Sequence, residues 1–488
     1  MKLSKILIFL GILSLGCLCL NAAASKLGFE WEKAIVTIEA SGIQYDFRQP
    51  WNKQPKQTLK SGVLIRPREI LTTAEGLDNL LMARVQKGGE SKWWEADVKW
   101  IDYHANLALL SVRDEKFYQG MKTAQLCSKS PDKDNLHVVR WKGANLETRK
   151  VEFAQYIVDE GVLSGLNCVQ MELETIQNPV TSSEIIISDG KVAAITTGYK
   201  GENTRAIPAV FIRQILNEQQ KGKWHGLGYF AFWWQPSYNP NLHEYLKLSG
   251  EPRGVVVIYT PDNNGNQDSL KPLDIILEID GFQIDNQGNY KDPDFGKLIL
   301  ENLAVKNKFA GDVVSIKVWR NGAEHIVKYT LPKFDFSKRL VPQQVLDKEP
   351  EYIIAGGLVF QPLTEPYLRS FGAEWRRSAP FRLVYLCSQE PTKETPSLVV
   401  LSGVLPDPIN IGYYEYRGLV VESINGLTVR TLKDVKNALK HPKDGYHVVE
   451  FQKGDGVRRL VIDALREPEA TKRILARYGI QSPVRISE

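Results

Sequence analysis

Residues 273–281 read LDIILEIDG, and residues 418–426 read GLVVESING. In both, a run of branched apolar residues ends on an acidic or amide residue followed by glycine, which is the mark of a buried strand entering a tight turn. The surroundings repeat as well. The first copy continues to DVVSIKVWRNG (312–322) and HIVKYTL (325–331), a closing strand pair. The second passes through LKDVKNAL (432–439), which has helical spacing, to YHVVEFQ (446–452) and RRLVIDA (458–464). The pattern predicts a β-rich module of about 110 residues with one or two helices, present twice. After the second copy, EPEATKRILARYGI (467–480) reads as a short amphipathic helix with Gly479 at its C-terminal cap position.

Upstream the pattern changes. From Ala34 to about Thr197 short β-rich runs follow one another: AIVTIEA from 34, SGVLI from 61, EILTT from 69, ADVKWI from 96, NLALLSV from 106, SEIII from 183 and KVAAITT from 191. Turn-forming segments separate them, as in an all-β barrel or sandwich. A helix is expected over Pro208 to Gln219, with Phe211, Ile212, Ile215 and Leu216 on one face. The polar stretch Gln220-Lys221-Gly222-Lys223 then marks a domain boundary.

Composition bounds what such a chain can do. With 488 residues, 43% apolar and 24% charged, it has material for about three domains, which excludes a disordered or collagen-like protein. Lys+Arg of 62 against Asp+Glu of 57 gives a net charge of +5, scattered along the chain, so nucleic-acid binding gains no support. At the start, Lys2 and Lys5 precede an apolar run from Ile6 to Leu20, and Ala22 and Ala24 complete a cleavage pattern. This predicts a secretory signal over 1–24, removed before Ser25, and hence an exported, periplasmic protein. Cys17 offers a lipid-anchored alternative, but Ser14 is a poor residue three positions upstream of it. No later stretch has the roughly 18 consecutive apolar residues of a transmembrane anchor. Cys127, Cys168 and Cys387 remain in the mature chain, enough for at most one disulfide and without metal-site spacing.

The stretches LKPLDIILEIDGFQI (270–284) and GLVVESINGLTV (418–429) resemble PDZ domains of HtrA/Deg serine proteases. The order of signal, β-rich domain, IPAVFIRQIL helix (207–216) and paired modules is similar to that family over nearly the whole mature chain. YIIAGGLVFQPLTEPYL (352–368), INIGYYEYRGLVVESING (409–426) and ATKRILARYGI (470–480) look like its plant-type Deg branch. The resemblance implies a mainly β fold: a trypsin-like double β-barrel over 25–219, a PDZ-like module over 224–335, and a divergent second one over 345–488 that carries the C-terminal helix. It also implies self-association in trimer-based homo-oligomers.

A trypsin-like protease needs a base to take the serine proton, an acid to orient that base, and backbone N–H groups for the oxyanion. The family places its histidine in a segment matched by SGVLIRPREILTTAEGL (61–77), where Glu75 occupies the position. HANLALL (104–110) puts Asn106 at the acid, and Asn178-Pro179-Val180-Thr181-Ser182-Ser183-Glu184 keeps a serine at Ser182 but none of the family's glycines. Intervals of 31 and 76 residues between the three positions fit the family's barrels. Losing the histidine alone costs about 10⁶ in turnover, and a carboxylate is a far weaker base than an imidazole. His104 is two residues from Asn106, so on a strand it would share a face at a different depth; it reads as a solvated loop histidine. Ser182 reads as a turn residue.

The modules keep more of their expected apparatus. A PDZ domain adds an extended peptide to a sheet edge and receives its terminal carboxylate on successive backbone N–H groups. Leu227, Gly228, Tyr229 and Phe230 match that loop in the first module, and Gly356, Gly357, Leu358 and Val359 in the second, although Leu358 to Phe360 also fit a covered strand. These features predict a pseudoprotease that binds peptides or unfolded protein segments in protein quality control. The alternative is an active endopeptidase using Ser182 with another base. Asp262 to Asp268 has calcium-ligand residue types but reads as a polar loop, and of Trp93–Trp94 and Trp233–Trp234 one member each is free to face outward. The seven histidines form no metal motif, so neither a metal nor a cofactor is expected.

Overall fold

The structure, a computed structural model, describes residues 28–174, 181–200, 203–222, 224–261, 269–454 and 456–487. The signal-like segment, Cys17 and the polar loop 262–268 lie outside the described residues. By internal contacts the chain divides into two units. One comprises the residues up to Ala40, Gln57–Leu77 and Met82–Phe334; the other comprises Ser41–Lys56, Asp78–Leu81 and Asp335–Glu488.

The first unit is built on two closed barrels. Strands β1 (Ile35–Tyr45), β2 (Lys53–Arg66), β3 (Glu69–Thr72), β4 (Leu80–Lys87), β5 (Trp93–Asp102) and β6 (Leu107–Val112) close in the order β1-β2-β3-β6-β5-β4. β7 (Leu136–Lys142), β8 (Asn145–Gly161), β9 (Ser164–Glu174), β10 (Ile185–Ser188), β11 (Lys191–Lys200) and β12 (Asn203–Pro208) repeat the scheme as β10-β11-β12-β9-β8-β7. Alternation puts Val63, Leu71 and Leu109 on one face of the first barrel and Val139, Ile185 and Ile195 on one face of the second, all buried. The long strands β8 and β9 escape a reading based on apolar runs, because charged and polar residues interrupt them, Glu147, Arg149, Lys150 and Glu152 in β8 and Gln170, Glu172 and Glu174 in β9. The helix Ala209–Gln220 follows, burying Phe211, Ile212, Ile215 and Leu216 as its spacing requires.

A sheet of order β13 (Trp233–Pro236), β14 (Val255–Tyr259), β15 (Ile275–Ile279), β19 (Val313–Arg320) and β20 (Ala323–Thr330) forms the first module, with β16 (Phe282–Gln283) paired to β15. β17 (Asn289–Asp292) and β18 (Gly296–Ile299) make a separate hairpin that leads into the 3-10 turn Leu300–Ala304. The second copy places the helix Leu432–Ala438 after its Asn-Gly turn, started by a reciprocal capping box between Thr431 and Asp434.

In the second unit an eight-stranded sheet runs β27 (Arg459–Asp463), β26 (Tyr446–Phe451), β24 (Leu419–Ile424), β23 (Val399–Val404), β22 (Leu358–Pro362), β21 (Tyr352–Ala355) and β28 (Val484–Arg485), with β25 (Leu427–Thr428) paired to β24. The helix Glu467–Tyr478 ends on Gly479 at φ +65°, as its sequence predicts. The outer ends of β1 and β2, with the turn joining them, belong to this unit. There Phe47 packs with Leu340, Tyr367 and Leu383, and Trp51 with Tyr352 and Ile480.

His447 on β26 is buried, and its Nδ1 is 3.2 Å from the Asn425 amide nitrogen, a contact that suits the neutral ring. Burial pushes its pKa below the ordinary histidine value, against the weaker opposing field of Glu467. The unfolded chain therefore binds the proton more readily, and this contribution to stability is complete above about pH 6.5 and is lost as the pH falls toward the lowered folded value. Urea midpoints should fall between pH 7 and pH 5, and His447→Gln should flatten that slope.

Candidate functional site

The three positions matched to a catalytic triad all lie in the first unit. Glu75 is half-buried in the loop after β3, and Asn106 closes the tight turn 103–106 before β6, at φ +52°. Asparagine tolerates this left-handed conformation better than most residues. The Asn106 amide oxygen accepts the backbone N–H of Glu75 at 2.9 Å, so the two positions are joined through main chain. Among the described residues, Asn106 Nδ2 and Glu75 Oε2 are buried and have no hydrogen-bond partner.

Beside them is a group that the sequence reading missed. Lys60 on β2 is only 4% exposed. Its Nζ donates to the Thr73 carbonyl and the Thr73 hydroxyl, both at 2.8 Å, and to the Glu75 carbonyl. A lysine serves as a base only with a free lone pair turned toward the nucleophile, and this Nζ is turned toward three oxygen acceptors. The signal for it was present in the sequence: a lysine inside the apolar run LKSGVLI (59–65) must either leave the strand's buried face or find buried acceptors.

Ser182 is half-buried in a turn with Ser183, whose φ is +65°. That turn is tied down on all sides. The Ser183 hydroxyl donates to the Ser182 carbonyl at 2.6 Å and accepts the Ser61 N–H at 3.2 Å, while the Ser183 N–H donates to the Thr196 carbonyl at 2.7 Å. Glu184, 1% exposed, binds Arg140 at 2.6 Å and Arg149 at 3.1 Å, and accepts the Thr181 N–H at 3.0 Å and hydroxyl at 2.7 Å. Asn178, Pro179 and Val180 lie outside the described residues.

His104 lies in the turn 103–106 rather than on a strand. Its Nδ1 is 3.0 Å from the Ser164 hydroxyl, and its ring meets Phe334 edge-on at 5.2 Å. It is therefore a packed residue and not the solvated one its sequence suggested. Cys127 and Cys168 are buried free thiols, and Cys387 is also unbridged. Burial pushes the Cys127 thiol up, so neither its chemistry nor its position makes it a nucleophile.

In the first module Leu227–Tyr229 is tied to residues 332–334 through an isolated bridge. Gly228 bridges Lys333, the Tyr229 N–H donates to the Pro332 carbonyl at 3.3 Å, and the Phe334 N–H donates to the Leu227 carbonyl at 3.1 Å. Phe230 continues into an aromatic cluster with Phe232 and Tyr329. The chain then enters β13, the last strand of its sheet. Along β13 the two tryptophans part as alternation requires. Trp233 is 47% exposed and packs on Tyr259, with ring centroids 5.1 Å apart. Trp234 turns inward, where its indole N–H donates to Glu301 at 3.0 Å, a carboxyl whose pKa burial raises. Its ring covers Gly288 so closely that a Cβ there would lie 2.3 Å away.

The second module's glycines have a different setting. Gly356 and Gly357, at φ +56° and +85°, form the turn between β21 and β22. The Gly356 N–H donates to Glu467 at 3.0 Å and to the Thr471 hydroxyl at 2.8 Å, so an internal carboxylate already occupies this amide. Leu358 and Val359 are buried in β22, which has β21 on one side and β23 on the other. An added strand has no place there. The expectation of a peptide-binding loop at Gly356–Val359 gives way to the covered strand that its apolar text also allowed. A Cβ on Gly357 would lie 2.3 Å from the Leu405 carbonyl, so Gly357→Ala should destabilise this unit by about 2–4 kcal/mol, read as a lower urea midpoint.

Comparison with known proteins places these observations. The PDZ domain family matches residues 341–485. The Putative protease Do-like 13 of Arabidopsis thaliana is 25% identical over 92% of this chain and 87% of its own length. This chain is a homologue of the HtrA/Deg (Do-like) proteases. Other relatives are the Putative protease Do-like 3, mitochondrial, of the same plant, 26% identical over 86% of this chain and 76% of its own, and a Serine protease DegP homolog of Plasmodium falciparum, 22% identical over 84% and 59%. Among solved structures, the HtrA-type protease AlgW with decapeptide aligns over 64% of this chain and 98% of its own, with 16% identity and a TM-score of 0.46. The Do-like homologue combines two closed six-stranded barrels with a PDZ domain over 341–485. No helix among its described residues is long and apolar enough to cross a membrane.

Proposed function

We propose that this Do-like homologue has no hydrolytic activity and acts by holding extended polypeptide segments. One observation carries the proposal: the position expected to supply the base holds Glu75, whose backbone, not its side chain, is bound by Asn106. The engagement of Lys60 with Thr73 and Glu75 and of His104 with Ser164 supports it, since both nitrogens are held by groups other than Ser182. The rival endopeptidase reading needs a base other than Glu75, Lys60 and His104.

For binding, the first module is the favoured site, because β13 ends its sheet and its exposed Trp233 packs on Tyr259 of β14. Immobilised protein should retain unfolded casein without cleaving it. Changing Trp233 and Tyr259 together to serine should weaken retention by about ten-fold or more. A protein that retains no casein is incompatible with this reading.

The remaining parts of the proposal follow the sequence. The chain carries a leader over 1–24, a barrel domain over 25–219 and modules over 224–335 and 345–488, is exported to the periplasm, and assembles as trimer-based homo-oligomers. The names of two relatives place those proteins in mitochondria and chloroplasts, so export has its own test. The mature N-terminus should be Ser25, and light scattering should give a multiple of three chains.

A further inference from the structure

The second module's sheet ends on a strand that lies outside the repeated pattern. β28, formed by Val484 and Arg485, pairs antiparallel with Ile353 and Tyr352 of β21. The contrast in burial across this pair is sharp: Tyr352, Ile353 and Ile354 are at most 2% exposed, whereas Ser482 to Ser487 contains no buried residue. The segment is therefore a thin cover over an apolar strand edge.

We propose that the outer edge of β21 is a peptide-acceptor site, and that Ser482–Ser487 is its intramolecular occupant. The external ligand is an extended segment of unfolded polypeptide with the same pattern: proline, apolar residue, arginine, apolar residue. This deepens the reading of the protein as a holder of extended chains, and rests on it. The occupant shows what the edge recognises. Main chain is read by the Ile354 N–H, which donates to the Pro483 carbonyl at 2.7 Å, and by the Tyr352 hydroxyl, which donates to the Ser482 carbonyl at 3.0 Å. The Ser487 N–H donates to Glu351 at 2.7 Å.

Arginine is read three ways. The Arg485 guanidinium lies over the Tyr352 ring at 5.1 Å, pairs with Glu349 at 3.0 Å and donates to the Pro50 carbonyl at 2.9 Å. A lysine reproduces the charge but not the planar fork. Next to Ser487 opens a cleft of about 370 Å³, lined by Phe47, Val345, Leu346, Pro350 and Pro362, which suits an apolar side chain further along a longer ligand. No residue of the occupant is fully buried, so its bonds are open to competition from an external chain.

The test uses the full chain and a fluorescein-labelled peptide, Ser-Pro-Val-Arg-Ile-Ser-Leu-Leu. Arg485→Asp sets like charges against Glu349 and should displace the occupant, raising the apparent affinity for the peptide by about ten-fold. A peptide with glutamate in place of its arginine should not bind. An Arg485→Asp chain with an unchanged urea midpoint and no gain in affinity overturns the proposal. If that variant does not fold, hydrogen exchange on the unsubstituted chain decides. The Ile354 amide should exchange at least about ten times faster than the Leu401 amide, which lies in β23, a strand paired on both sides and fully buried at this residue. Equal protection overturns the proposal even where casein is retained. Faster Ile354 exchange with no casein retention overturns only the assignment of binding to the first module.

Discussion

Mixed with unfolded casein at neutral pH, the purified protein should release peptides at least about 10⁶-fold more slowly than a working serine protease, and Ser182→Ala should leave that rate unchanged. An unactivated hydroxyl is a poor nucleophile, because its proton must leave as the bond to carbon forms. The groups close to the expected base position fail at this task for separate reasons. Glu75 is joined to Asn106 through its backbone N–H, Lys60 donates to three oxygens, and His104 faces Ser164. A fluorophosphonate probe, which reports an activated serine, should not label the protein. Casein cleavage that Ser182→Ala abolishes would reinstate the endopeptidase reading.

Glu184→Ala should destabilise the first unit by about 3–5 kcal/mol, because it strands two guanidinium groups that the fold has already taken out of water. Arg140 and Arg149 are 20% and 16% exposed, and both converge on this one carboxylate. Burial opposes the charge on Arg140, and the Glu147 and Glu184 carboxylates overcome it, raising its pKa. The same carboxylate accepts two bonds from Thr181, so its loss also loosens the turn that holds Ser182. Urea denaturation measures the effect. A loss below about 1 kcal/mol would show that Glu147, 2.7 Å from Arg140, already neutralises the cluster.

The 31-residue spacing, the glycine-ended strands and the capped helices are written in local patterns, and the barrels and modules follow from them. Those features depend on alternation, turn chemistry and cap residues, all of which act over a few neighbouring positions. The sequence alone also determined which residues stand at the triad positions. Tertiary structure decided what those residues touch: Lys60 meets Thr73 and Glu75, and Glu184 gathers arginines from β7 and β8, far away along the chain. It likewise decided the fate of the two glycine loops. Leu227–Phe230 leads to an end strand, whereas Gly356–Val359 is enclosed by β21, β23 and the carboxylate of Glu467. Both loops are held by their own chain, but the strand after the first ends its sheet and the strand after the second does not, because a strand's free edge is a property of its neighbours in the sheet and not of its own residues.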